Sequence, residues 1–564
     1  MGSLTVQERP PDSQELASDV ECQLEYNWNG HIISPPQLLI QNLFRRNSGI
    51  PNDITLQQSE QLNDTWDSFP DNEFAARFFK LIEWDQIKPK TAAFCSQYSL
   101  YQHDEKPAQV VSLRQNGAVI GIEGGPNLLS VYVNPKIGSE IPKGLQLGLP
   151  RLPDQGSLEQ FTLLKEWIKL CDETHENCRG ESDNAPTMPT RLIELGNPLR
   201  IVESASIEPS RFVALSHCWG NLGAAGKRFC TQTESISTFM HSIDLADLPR
   251  TFRDAITVAR GIGVRYLWID SLCIIQNDEA DWDYELTIME QVYSSAYCTI
   301  AASSSKSSLE GFLHDREPRP CVEIETPEKT VLYVCPHIDD FHRDVELGPL
   351  NSRGWVLQER ALSRRTIFYT STQVYWECGA GVHCETLARL QNSKAAFLGD
   401  ARFPHAVLGY YRDGRQMLVQ DLYERYSGLA FSKEWDRPKA ILGLERRLAR
   451  AFNTQAAHGF FAPYFARLLL WKRRDTRWMT RIKQRRGNSH VPTWSWLSKV
   501  GAIKYLDLKF QETHWEVDDF ENPFERSASP PLGRCKHGNK YRGIPRTCQA
   551  TEDEKARHDG FRYI

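Results

Sequence analysis

Between Phe212 and Ala302 three apolar runs alternate with two segments of helical spacing, and no other stretch of the 564 residues limits the fold as tightly. The run Phe212-Val213-Ala214-Leu215 breaks into Ser216-His217-Cys218-Trp219-Gly220. From about Thr251, Phe252, Ile256 and Ala259 recur at i, i+4 and i+7 ahead of Gly261 and Gly263, which is one face of a helix with a glycine stop. Tyr266-Leu267-Trp268-Ile269 follows and stops at Asp270-Ser271. A second helical segment carries Trp282, Leu286, Met289 and Tyr293 into the apolar run Cys298 to Ala302. Strand, helix, strand, helix, strand predicts an α/β domain with a mostly parallel sheet flanked by helices. Such sheets place ligands at the carboxyl ends of their strands, where Ser216, His217, Trp219, Asp270 and Ser271 stand.

A chain of 564 residues exceeds one core, so several domains are expected. A net charge of -6 argues against a general nucleic-acid binder and predicts no specific nucleic-acid partner. Fourteen cysteines in this length fall short of a disulfide scaffold. With no signal peptide at the first residues they read as reduced thiols of a cytoplasmic protein. No apolar run is long enough to span a membrane. The longest, Phe460 to Trp471, is interrupted by Pro463 and Arg467 and predicts a buried core helix.

In chain order, residues 1–23 are polar and predict disorder, and residues 24–150 a small β-containing region. Within it, Asn116-Gly117 between two apolar runs predicts a hairpin. Residues 151–205 form a helical lead-in, with a helix from Leu158 that ends in Cys171-x3-His175-x2-Cys178. The α/β domain occupies 206–385 and a mainly helical region with a late β element 386–520. Residues 521–564 are rich in Pro, Gly and charge and read as a flexible tail. The basic tract Lys472 to Arg486 predicts a solvated helix face.

Two Cys/His groups have zinc-ligand chemistry, Cys171/His175/Cys178 and Cys378/His383/Cys384. Each offers three local ligands where a structural zinc wants four. Both are therefore read as buried thiols, and no metal is expected. Gly261-x-Gly263 follows a helix instead of a strand, and Gly226-Lys227 lacks the Ser/Thr of a P-loop. A Ser216/His217/Asp270 triad is disfavoured, because adjacent residues of a strand point to opposite faces and no nucleophile elbow is present. A His217/Cys218 pair is disfavoured on the same geometry.

On a helical wheel Glu285 falls on the flank of the apolar arc of the segment from Trp282. A carboxylate facing an interior is costly unless paired or protonated. Two readings stand. Either Glu285 pairs with a buried arginine such as Arg253, Arg353 or Arg360, or it opens onto a cleft and acts in catalysis. A further dense motif, Arg353-Gly354-Trp355-Val356-Leu357-Gln358-Glu359-Arg360, predicts a short helix feeding a strand at Thr366 to Tyr369.

Four ordered blocks resemble the fungal heterokaryon-incompatibility (HET) domain. They are Phe212 to Gly220; Leu248-Pro249-x2-Phe252-x-Asp254-Ala255 leading to Tyr266 to Gln276; Asp281-Trp282-x2-Glu285; and Arg353 to Arg360. The resemblance implies non-self recognition and programmed cell death after fusion of unlike hyphae, with protein partners or self-assembly. It also implies a remote likeness to Toll/interleukin-receptor (TIR) domains, some of which hydrolyse NAD with a Glu on a helix after a Trp, as in Trp282-x2-Glu285. On that analogy Glu285 is the catalytic candidate. Ser216, His217, Trp219, Asp270, Ser271 and Trp282 shape the pocket, and Arg353, Trp355, Glu359 and Arg360 form a second candidate motif. NAD would be the substrate, with no resident cofactor. The alternatives are a non-catalytic assembly module with Glu285 structural, and an enzyme of another small metabolite.

Overall fold

The computed structural model describes residues 22–25, 67–83, 110–136, 145–178, 188–220, 229–326, 329–391, 412–476, 479–483, 491–507 and 524. Ten strands form the principal sheet: β1 (Asp67–Pro70), β2 (Arg191–Glu194), β3 (Arg200–Glu203), β4 (Phe212–Ser216), β5 (Tyr266–Trp268), β6 (Cys298–Ala301), β7 (Arg365–Tyr369), β8 (Val374–Cys378), β9 (Gly381–Cys384) and β10 (Ala388–Gln391). Their spatial order is β1-β10-β9-β8-β7-β6-β4-β5-β2-β3.

Of the nine neighbouring pairs in that order, three are parallel: β7 with β6, β6 with β4, and β4 with β5. The expected mostly parallel sheet is thus corrected to a parallel centre inside an antiparallel frame. The cause is connection length. Long crossovers allow parallel pairing in the centre, whereas β7, β8 and β9 follow one another through short turns that force antiparallel neighbours, as β2 and β3 do.

The crossovers are helical. Helix α1 (Leu158–Thr174) packs against α2 (Arg250–Gly261), which joins β4 to β5. Helix α3 (Glu279–Ser295) joins β5 to β6 and packs against α4 (Gly354–Leu362), which feeds β7. The chain therefore moves from β4 to one side and returns to the other. This makes the gap between the carboxyl ends of β4 and β6 the topological switch point, where open α/β sheets bind ligands. All of β4, β6 and β7 is buried, as strands covered on both faces must be.

The expected hairpin is present, with Val110–Asn116 paired to Val119–Ile122 and Gly117 at φ 56°. Its sheet is not a separate N-terminal region. Among the described residues seven strands form it, and two of them, Val322–Glu325 and Val331–Pro336, come from the middle of the chain. Another, Cys22–Glu25, starts inside the stretch read as disordered. Residues 1–21 lie outside the described residues, as does the tail apart from Phe524.

The C-terminal region combines helix and strand. Alongside α5 (Arg412–Ser427) and α6 (Leu442–Ala451) it contains short strands. Two of them, Trp471–Arg473 and Thr480–Arg481, replace the helix expected in the basic tract and pair with Ile503–Tyr505 and Lys499–Val500. Phe460 to Trp471 is likewise no single helix. Pro463 has no N–H for an interior turn, and the run divides into Phe460–Phe461, a tight turn and Phe465–Leu468. Helix α4 sits where three apolar cores meet, giving Leu362 to the first, Leu357 and Ala361 to the C-terminal one, and Val356 to a third.

Candidate functional site

Because β4 is extended, its last residue and the next diverge. Ser216 turns toward α4 and His217 toward α2, as alternation along a strand requires. Ser216 Oγ donates to Glu359 Oε2 at 2.5 Å. The His217 ring stands edge-on to Phe252 at 5.2 Å, its Nδ1 is 3.8 Å from Asp270 Oδ1, and its buried Nε2 has no hydrogen-bond partner among the described residues. Burial holds His217 down at about 4, against the pull of Asp270. The adjacent Ser216 and His217 therefore do not form a triad.

Asp270 begins a one-turn helix at the end of β5. Its Oδ2 accepts from Trp219 Nε1 at 2.8 Å and its Oδ1 from the Ser271 backbone N–H at 2.7 Å. Ser271 itself is buried, with its hydroxyl unpaired among the described residues. Gly220, at φ 79°, lets the chain turn after Trp219. A Cβ there would meet Ser307 Cβ at 2.3 Å.

The second candidate motif joins this cluster through α4. Its start is fixed by Gly354, which lies so close to the Phe431 ring that a Cβ would come within 1.8 Å, and whose N–H donates to the Ala430 carbonyl at 2.9 Å. Arg353 then donates from Nη1 to the His217 carbonyl. Glu359 is 5% exposed. Burial pushes its carboxyl up to about 7, against Arg353 and the Ser216 and Tyr293 hydroxyls, which favour the charged form. Tyr293, on α3, also reaches the Leu215 carbonyl at 3.4 Å.

The neighbours of Glu359 on α4 point elsewhere. Gln358 Oε1 accepts from Gly443 N at 2.8 Å, satisfying an N–H at the start of α6. Arg360 makes a two-pronged pair with Glu377, at 2.9 and 2.6 Å, and reaches Glu346 at 3.3 Å. Trp355 is half-buried between the first and C-terminal cores.

Glu285 is as buried as the wheel predicts, 1% exposed, but its cation is Arg191, not Arg253, Arg353 or Arg360. Arg191 Nη2 lies 3.5 Å from Glu285 Oε1, within ion-pair reach though not aligned for a hydrogen bond. The same nitrogen grips Asp281 at 2.6 and 2.5 Å, and Arg191 Nε donates to the Cys273 carbonyl at 2.8 Å. Burial and Asp281 raise the Glu285 carboxyl, while Thr190 and Arg191 pull it down, with burial the largest effect. Trp282, a turn earlier, lies half-buried under Lys439 Nζ at 4.7 Å from the ring centroid.

Thus Ser216, His217, Trp219, Asp270, Arg353 and Glu359 come together at the strand ends, and Glu285, Trp282 and Arg360 lie in other contacts. Arg191 and Tyr293 had no assigned role in the sequence. An arginine heading the apolar run Leu192-Ile193 was the available signal for the first.

The two Cys/His groups also change membership. Cys378 joins Cys171, His175 and Cys178, with the four donor atoms all within 4.8 Å of one another. His383 instead packs against Phe74 and Trp167, with Nδ1 3.8 Å from Asp71, and Cys384 contacts Asp339.

No curated protein and no solved structure matches the chain. Residues 212–359 match the family model described as Heterokaryon incompatibility protein (HET), a span that opens on β4 and closes on Glu359. The Ser216–Glu359 bond therefore joins segments near the two ends of the match, and over residues 212–359 the chain matches a heterokaryon incompatibility (HET) domain.

Proposed function

We propose that the chain is an effector of non-self recognition and cell death in heterokaryon incompatibility, and that its HET domain hydrolyses the nicotinamide–ribose bond of NAD at the ends of β4 and β5. The observation that carries this reading is the buried Glu359, titrating near neutrality, hydrogen-bonded to Ser216 at the switch point and flanked by Asp270. Water adds to the ribose carbon as nicotinamide leaves, giving ADP-ribose, nicotinamide and a proton. Glu359 takes that proton, since a base near neutral pH is the efficient one. The Asp270 carboxylate, oriented by Trp219, faces the oxocarbenium-like charge. In this reading the TIR-like carboxylate on α3, Glu285, holds segments together through Arg191.

A second reading is favoured by the same bonds. Ser216–Glu359 and Arg353–His217 also tie α4 to the end of β4, as an assembly module without turnover would need. Nicotinamide release separates the two. Purified protein, at concentrations that allow self-assembly, is incubated with NAD. Wild type and Glu285→Gln are expected to release nicotinamide, and Glu359→Gln to release it at least about a hundred-fold more slowly. Release unaffected by Glu359→Gln removes Glu359 as the base, and none from wild type under any assembly condition sinks the NAD reading in favour of the second.

A further inference from the structure

We infer that Cys171, His175, Cys178 and Cys378 form a closed structural zinc site that staples α1 to the end of β8. The inference is independent of the reading given to Glu359. Cys171 lies in the last turns of α1, His175 caps the helix, and Cys178 follows in a tight turn. That places three ligands on one winding of chain. The fourth arrives from β8, 203 residues beyond His175.

The geometry is that of a metal centre, not of incidental thiols. A tetrahedral zinc with bonds of about 2.3 Å to sulfur and about 2.05 Å to nitrogen sets a sulfur and a nitrogen ligand about 3.6 Å apart. Cys378 Sγ and His175 Nδ1 are 3.5 Å apart. Two thiolates on the same ion would be about 3.8 Å apart, and all four donors lie within 4.8 Å of one another. The three cysteines are free thiols and all are buried. Three unbridged sulfurs and an imidazole gathered at one point are the ligand set of a structural zinc.

The surroundings suit that ion. Three thiolates on a divalent cation leave one net negative charge, and Arg364 and Arg365 lie beside Cys171 and Cys178. The Gly379 backbone N–H points to the Cys178 sulfur, the kind of outer contact that orients a thiolate ligand. Four protein ligands leave no open position, so the site is structural and not catalytic.

The test is metal content of the full chain purified under reducing conditions without chelator. One zinc per chain is expected. Replacement by cobalt should give the intense visible bands of a tetrahedral thiolate-rich site. Cys378→Ser should lower bound zinc at least about ten-fold. Cys230→Ser, outside the cluster, should leave it at one. His175→Cys should keep one metal per chain and shift the cobalt bands toward a four-thiolate spectrum, which decides the matter even if Cys378→Ser fails to fold. Wild type that holds no zinc and takes up no cobalt overturns the inference. So does zinc retained by Cys378→Ser, or cobalt bands unmoved in His175→Cys.

Discussion

Two glutamates, Glu285 on α3 and Glu359 on α4, are buried on neighbouring helices, and they differ in what offsets the cost of leaving water. Glu285 shares the guanidinium of Arg191 with Asp281, two carboxylates on one cation. Glu359 has hydroxyl partners, Ser216 and Tyr293, with the Arg353 charge as a background. Arg191 opposes the rise that burial gives the Glu285 carboxyl, whereas at Glu359 burial outweighs Arg353 and the hydroxyls and lifts the carboxyl to about 7. The first arrangement suits holding segments together, and the second leaves a proton that can move.

The comparison breaks most readily at Arg191. Arg191→Ala strands Asp281 and Glu285 with their charge uncompensated, and a loss of about 3–5 kcal/mol is expected in urea unfolding. A loss below about 1 kcal/mol would mean that the pair does not carry the α3–β2 junction.

The next test is the pH dependence of stability. The carboxyl of Glu359 rises from 4.5 to about 7 on folding, so over that interval the folded chain keeps a proton that the unfolded chain has released. Stability from this group is therefore present at low pH and falls as pH rises through about 7. His217 acts in the opposite sense. Its folded value, about 4 against 6.5, makes stability rise with pH across that interval. Comparing Glu359→Gln with wild type cancels the histidine. From about pH 5 to about pH 8 the variant should gain up to about 3 kcal/mol on wild type. A difference that is flat with pH removes the contrast with Glu285.

The smallest effect is expected at the rim. Trp219→Phe keeps an aromatic ring and removes the indole N–H bond to the partly exposed Asp270, costing about 1 kcal/mol in thermal or urea unfolding. A much larger loss would mean that the rim, and not Glu359, organises the cluster.

Elements were legible in the sequence where periodicity is local. The runs at Phe212, Tyr266 and Cys298 became β4, β5 and β6, and the wheel from Trp282 placed Glu285 inside. What was not legible is who meets whom across the chain. Nothing near Glu285 singles out Arg191, which is 94 positions earlier and lies two strands away from β4 in the sheet. Nothing near Cys171 announces Cys378. The strands Val322–Glu325 and Val331–Pro336 look like a local hairpin until the bonds of Val331–Pro336 to Asn127–Val133 join both to the second sheet. Even the parallel centre was half visible, since apolar runs report burial on both faces but not the direction of the neighbour.

Gln358, Glu359 and Arg360 are consecutive, yet each answers to a different part of the chain: Gly443, Ser216 and Glu377. A change at any of them cannot be compensated by its sequence neighbours. Compensation for a change in this run is expected only from second changes far away in the sequence. A recombination breakpoint between residues 362 and 430 would split α4 from the Ala430-Phe431 segment that seats it. Chimaeras cut there are expected to fold with a displaced Glu359, while breakpoints ahead of Asp67 leave its seat untouched.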